Sequence, residues 1–403
     1  MDTKPRQTGV PRYYQKFSCI GPDCENNCCH NWCISIDQKT WDLWQVTQDT
    51  YLSDLSREST HTPDNPTDMD YRRMTMGNDS ICPAYRRDDG LCEIHKQLGE
   101  DLLSETCRTY PRRLTRTPEG LEPSLSISCP QAARLILLDE NAMQMKNQLI
   151  ESDSIPTTTF HQQPEYFEQF RLSAMTTVSD IDISPDERLY RLGVLLNFVS
   201  ISQINGEDPS RVFATFETMQ QNAIFSRMYQ SLPDGITIQA EVLKHLLMAP
   251  SYWKINSVLA DYHQQFQDIL KRDYAVDGNV DLIALIRKGY KKHFQPIASE
   301  KSQAFTNFFQ HWIYSSDLCY LQGAELMHKY SDFLVQYSII RTYLSVLAKE
   351  NGSDELMIGV VHALSRGFDH HPPFLEKLFA YLNHVGLGNP IQMMALLKIE
   401  SSP

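Results

Sequence analysis

Residues 19–33 read CIGPDCENNCCHNWC, five cysteines in fifteen positions with the spacing Cys19-x4-Cys24-x3-Cys28-Cys29-x3-Cys33. Sulfur atoms set this close along a chain converge on a common point, and convergence is what a metal supplies. A second group follows in residues 82–114, CPAYRRDDGLCEIHKQLGEDLLSETCRTYPRRL, which carries Cys82, Cys92 and Cys107, and Cys129 closes the series in SCPQ. Nine of the ten cysteines thus lie in the first 129 of 403 residues, and Cys319 stands alone in the remainder. Thiolate sulfur is soft and selects zinc or an iron-sulfur cluster over magnesium or calcium, and four thiolates complete either site. Spacing alone does not choose between them. A zinc ion that only staples a loop-rich segment is the plainer alternative, since metal binding supplies folding energy where apolar core is scarce.

Local signals place these thiols. Asp89 and Gly90 in RRDDGLCEI fit a tight hairpin turn between Cys82 and Cys92. A short helix is expected from His95 to Cys107, and Pro111 prevents its continuation, which leaves Cys107 near a helix end and able to face the first group. His95 reads as a polar packing residue, and Trp32, Trp41 and Trp44 as core around the first cysteines. Arg108, Arg112, Arg113 and Arg116 form a basic run with no intervening acid. Such a run is a solvated face in most proteins, and next to thiolates it also offsets negative charge or holds a carboxylate.

Composition sets the outer bounds. Apolar residues are 41%, charged residues 22% and aromatics 10%, an ordinary globular balance. The formal charge is −13, a field that repels phosphate backbones, so nucleic acid is excluded as a partner. No stretch approaches the roughly 18 apolar residues of a transmembrane helix. The amino terminus has basic residues but neither an apolar segment nor a small-residue cleavage site, so a cytoplasmic protein is expected, where thiols stay reduced and serve as metal ligands rather than disulfides.

Beyond residue 135 the pattern turns helical. Ser184, Pro185 and Glu187 form a capping signature ahead of Leu189, Leu192, Leu196 and Val199, Gly206 is a stop, and Asp208-Pro209 opens the next helix. Further helices are expected near 239–248, 252–274, 280–293, 301–328, 330–349, 354–366, 372–385 and 391–399, with no fixed-period repeat. Leu135–Ile150 also shows helical spacing, the Ser/Thr/Pro-rich run ESDSIPTTTFHQQP after it reads as a linker, and the polar stretch Ser53–Ser80 as a long loop. The expected fold is mainly α: a cysteine-rich, loop-rich metal-binding part over 1–135 with a short hairpin, a helix and linker over 136–165, and an irregular all-α domain over 166–403. Cys319 reads as a small core residue, His370 and His371 as a surface turn, and Gly386 as a helix stop.

The order CxxxxCxxxCC, CPAYRRDDGLCEIH, CRTYP and a final Cys-Pro resembles the cysteine-rich zinc- or iron-chelating family, whose eight-cysteine pattern falls on Cys19, Cys24, Cys28, Cys29, Cys82, Cys92, Cys107 and Cys129. Cys33 is extra to that pattern. The CCxxWxIxID extension, the length and the helical half resemble, within it, the flagellin lysine-N-methylases, strongly over residues 13–130 and by length and character beyond. The resemblance implies methyl transfer from S-adenosylmethionine to flagellin lysines, with a 4Fe-4S cluster held from those eight cysteines; a non-enzymatic zinc- or iron-binding interaction protein is the alternative. No glycine-rich loop follows a strand and no C-x3-C-x2-C motif is present, so neither a Rossmann donor site nor the usual radical motif is expected. The donor site and the base that would free the lysine amine are not assigned by the sequence.

Overall fold

The computed structural model describes residues 6–30, 32–78, 80–118, 120–150, 155, 157–160, 163–221, 224–248, 257–276, 279–348, 354–369 and 373–400. The fold is mainly helical, with small sheets confined largely to the front half. His370 and His371 lie outside the described residues.

Two apolar cores organise it. The smaller gathers Ile34, Ile36, Trp44, Leu52, Leu55, Met74, Cys82, Ala84, Ile94 and Leu103 around the cysteine-bearing segments. The larger runs through the helical half and takes in Tyr13, Leu125, Ile127, Cys129 and Ile136 from the front. The helix Pro185–Ile204 begins where expected: the Ser184 hydroxyl accepts from the Glu187 amide at 3.1 Å. Leu189, Leu192, Leu196 and Val199 are fully buried, and Gly206 ends the run at a φ of +70°, which glycine adopts without strain.

Three stretches depart from the sequence pattern, each for a physical reason. The helical spacing of Leu135–Ile150 is realised only to Leu138, because the Asp139 carboxylate takes salt bridges from Arg12 and Lys16 and turns the chain out. Met145–Ile150 is instead a strand antiparallel to Arg6–Pro11, and five of its six residues are exposed, so its spacing marks no buried stripe. Ser53–Ser80 is not one long loop but is interrupted by a helix end and two short strands. Asp49 caps a helix over Thr50–Glu58 that buries Leu52 and Leu55, and Ser35–Ile36, Arg72–Met74 and Thr60–His61 make a three-stranded sheet that buries Met74; a few apolar anchors sufficed where the average composition was polar. The third is the expected helix over 301–328. It divides into Ser302–Ser315, a 3-10 turn Leu318–Tyr320 and the start of a helix over Gly323–Leu347, with Gly323 at a φ of +52°.

The helical half is pinned by one buried ion pair. Asp186 accepts from Arg341 at 2.7 Å, from the Tyr290 hydroxyl at 2.7 Å and from the Tyr337 hydroxyl at 3.0 Å. Arg341 also donates to the Leu396 carbonyl at 2.6 Å and Gln239 at 3.2 Å, which ties the chain's last turns to its longest helix. Breaking such a pair leaves a buried charge unpaired. Arg341→Met should lower the unfolding free energy by about 3–5 kcal/mol in chemical denaturation, whereas Arg57→Ala at an exposed pair should leave the midpoint unchanged.

Candidate functional site

The front cysteines are carried by turns rather than long elements. The Cys82 amide donates to the Cys29 carbonyl at 2.9 Å, and His30 bridges Ile81, so the two cysteine groups meet through their backbones. Gly90, at a φ of +71°, makes the expected turn, and Tyr85 pairs with Cys92 across it. The Asn27 side chain donates to the Gly90 carbonyl at 3.0 Å and accepts from the Cys29 amide at 2.8 Å, locking that turn to the first group. Buried Asp37 caps the helix Gln38–Val46 through Thr40 and accepts from the Glu105 amide at 2.8 Å, which sets the helix Glu105–Thr109 that bears Cys107. The run from His95 to Cys107 is not one helix but a π turn, a 3-10 turn and that short α-helix, and His95 is exposed rather than packed.

Cys29, Cys82, Cys92 and Cys107, drawn from both groups, line one cavity of about 30 Å³ with Trp44, Ile94 and Leu103. The Cys29 thiol hydrogen-bonds the sulfurs of Cys28 and Cys92, which lowers both to about 7 against the cost of burial. Burial raises Cys82 to about 12 and pushes Cys107 higher still. Cys24 feels the charges of Cys19 and Cys28, Cys129 those of Cys24 and Cys28, and Cys28 that of Cys92, so the remaining thiols of the pool lie within electrostatic reach of the first group. Backbone amides point at several sulfurs: Asn26 at Cys24, Ala84 at Cys82, Ile94 and His95 at Cys92, Gln131 and Ala132 at Cys129. Such N–H groups favour the ionised sulfur. All ten cysteines are free thiols. Among the described residues no three His, Cys, Asp or Glu side chains yet stand together in ligand geometry. Cys33 is exposed and faces Asp70 and Arg73, away from the cavity, and Cys319 is buried in the helical core.

The helical half reaches into this site through the helix Asp354–Asp369. His362 donates from Nδ1 to the Ile358 carbonyl at 3.0 Å, and burial lowers its pKa to about 4, so neutral Nε2 accepts from Asn26 Nδ2 at 3.1 Å. One turn on, fully buried Arg366 donates to Asn26 Oδ1 at 2.7 Å, and its positive charge favours the Cys28 thiolate. Its Nε and Nη2 are buried with no hydrogen-bond partner among the described residues.

The same helix forms one wall of a cleft of about 780 Å³. Its other walls are the strands Arg112–Arg116 and Leu121–Leu125 and the helices Ser302–Ser315, Gly323–Leu347 and Pro373–His384. Trp312 and Phe333 stack in it at 4.0 Å between ring centroids. Of the basic run, Arg113 enters this cleft, Arg108 pairs with Glu105, and Arg112 lies over the Phe17 ring. Burial raises the Asp332 carboxyl to about 6, and desolvation by the surrounding protein also raises Asp369, the solvent-exposed last residue of its helix. Neither acid stood out in the sequence, although Asp332 interrupts YSDFLVQYS in an otherwise buried helix, and that is the signal that could have marked it.

Residues 171–396 match the model of the FliB lysine N-methylase C-terminal domain. The chain belongs to the FliB lysine N-methylase family. It is thus of a methyltransferase family, and the non-enzymatic alternative falls. Over 408 aligned positions the chain is 22% identical to the lysine-N-methylases of Salmonella typhimurium and Salmonella choleraesuis, covering 96% of this chain and 98% of each relative. Over 138 positions it is 30% identical to the flagellar biosynthetic protein FliU of Salmonella muenchen, covering 34% of this chain and 79% of that one. No solved structure matches. No helix among the described residues is long and apolar enough to cross a membrane.

Asn26→Ala would remove the partner of buried His362 Nε2 and leave Arg366 Nη1 only the long bonds to the Asn26 and Asn27 carbonyls at 3.4 Å, a cost of about 1–3 kcal/mol. The expected result is faster amide hydrogen exchange in residues 24–30 with unchanged exchange in the helix Pro185–Ile204.

Proposed function

We propose that the protein transfers the methyl group of S-adenosylmethionine to the side-chain nitrogen of flagellin lysines in the cytoplasm, with a 4Fe-4S cluster held by its cysteines. Membership of a lysine N-methylase family and likeness to a flagellar biosynthetic protein support the substrate. The observation that supports the metal centre is the pairing of a cysteine-lined cavity with a buried guanidinium, two of whose nitrogens have no hydrogen-bond partner among the described residues.

The residues fit a thiolate-held centre. The donors are soft, backbone amides favour their ionised form, and a four-thiolate zinc or iron-sulfur site is anionic, which answers the unpaired charge of Arg366. Cys29, Cys82, Cys92 and Cys107 would hold one centre; Cys19, Cys24, Cys28 and Cys129 are enough for a second. Either a zinc ion or a cluster would require the hydrogen-bonded sulfurs of Cys28, Cys29 and Cys92 to separate and turn toward it. When bound, a 4Fe-4S cluster supplies one-electron chemistry. Proton removal falls to the chain's own residues, because a lysine amine with a pKa near 10.4 is protonated at neutral pH and must lose that proton before it can attack a methyl group.

Anaerobically purified protein should carry iron and acid-labile sulfide and should label flagellin lysine from labelled S-adenosylmethionine under reducing conditions. Absence of label there defeats the methylase reading, and a colourless protein holding zinc alone defeats the cluster. Cys28→Ser and Cys107→Ser should lose the metal, while Cys33→Ser and Cys319→Ser keep it. Arg366→Met should keep the iron but shift its reduction potential negative, because a buried positive charge that favours the added electron is gone; Arg366→Lys should fall between.

A further inference from the structure

The cleft of about 780 Å³ has the size of a site for a small molecule plus a substrate side chain, and none of the cysteines lines it. Its acids divide by what they touch. Asp317 is paired with Lys329 at 2.7 Å. Glu376 is exposed on the helix Pro373–His384. Asp369 accepts from the Ser126 hydroxyl at 3.4 Å and feels Arg113. Asp332 is half-buried and makes no hydrogen bond or ion pair among the described residues, and its charge is only partly offset by Lys329 and His328 a turn earlier on its own helix. A carboxylate held in a roomy cleft without a partner is poised for a cation from outside.

We propose that methyl transfer takes place in this cleft, and that Asp332 receives the substrate lysine ammonium and takes its proton. This rests on the methylase reading and adds the location and the base to it. The Asp332 carboxylate accepts one proton from the ammonium. The freed nitrogen lone pair then forms the new N–C bond as the bond from the methyl carbon to sulfur breaks. The electron pair of that bond stays on sulfur, so the sulfonium donor leaves as a neutral thioether and the positive charge passes to the methylated nitrogen. Two cations, the donor sulfonium and the ammonium, enter together, and Asp369, which also lines the cleft, supplies a second negative charge. Phe160, Phe308 and the Trp312–Phe333 stack provide apolar wall for the uncharged bulk of the donor. Burial keeps Asp332 a stronger base than a surface carboxylate, and the other charged or titratable groups facing the cleft are Arg113, neutral His311, Asp317, His328, Lys329, Asp369 and Glu376.

Gln336 lines the cleft one turn beyond Asp332 on the same helix face, so Gln336→Trp would fill the space above that carboxylate. Titration calorimetry with S-adenosylhomocysteine on the anaerobic holoprotein should show binding to wild type and at least tenfold weaker binding to Gln336→Trp, at equal iron content and melting temperature. Asp332→Asn should bind S-adenosylhomocysteine within about twofold of wild type but methylate flagellin roughly 100-fold or more slowly. Wild-type single-turnover rates should rise as pH passes through about 6, where Asp332 becomes ionised, and Asp332→Asn should lack that rise while Asp332→Glu regains part of the rate. If wild type binds the thioether and labels flagellin while Gln336→Trp binds equally well, the cleft is the wrong place and the methylase reading stands. If wild type does neither, both fall; and if Asp332→Asn keeps the wild-type rate and pH profile, Asp332 is not the base.

Discussion

Arg366 is the hinge of the molecule's chemistry. Removing a guanidinium from water is costly unless its charge and its N–H groups are answered. Asn26 answers only Nη1 at close range, leaving Nε and Nη2 with no hydrogen-bond partner among the described residues beside the Cys28 sulfur. The residue is tolerable there only because the neighbouring thiols are ready to carry negative charge. Its position joins the cysteine-rich segment to the helical body.

From this contact the arrangement spreads along a single helix. His362 and Arg366 grip the first cysteine group, and Ser365, Phe368 and Asp369, on adjoining positions, face the large cleft. A second link runs through the front: Ser126 in the cleft hydrogen-bonds Ser128, which precedes Cys129, and Tyr110 closes on the same hydroxyl. Any change that repositions the thiols thus acts on a helix whose neighbouring positions line the cleft. The Asp186–Arg341 pair supports this from behind by fixing the helix that bears Asp332, so that a carboxylate without partners is held in place by packing rather than by its own bonds.

The front half shows how little apolar material a fold needs when its thiols and turns are specified. Leu52, Leu55 and Met74 anchor a stretch whose composition is that of a loop, and Asp37 alone joins two helices by accepting amides from both. Those anchors are invisible to an average over residues, since each is a single position among polar neighbours.

The spacing of the cysteines, the Asp89-Gly90 turn, the Ser184 cap and the leucines that follow could be read directly, because each is a local relation between side chains and backbone a few residues apart. That reading extended to a mainly helical chain and to a pool of thiols suited to soft metals. It did not reach the ending of the helix at Leu138, because the salt bridges that turn the chain there come from Arg12 and Lys16, more than a hundred positions earlier. Nor did it reach which thiols share the small cavity, the buried N–H groups of Arg366, or the cleft with Asp332 and Asp369. These depend on which surfaces meet in space, and burial, missing partners and open volume are properties of that meeting, which no residue possesses on its own.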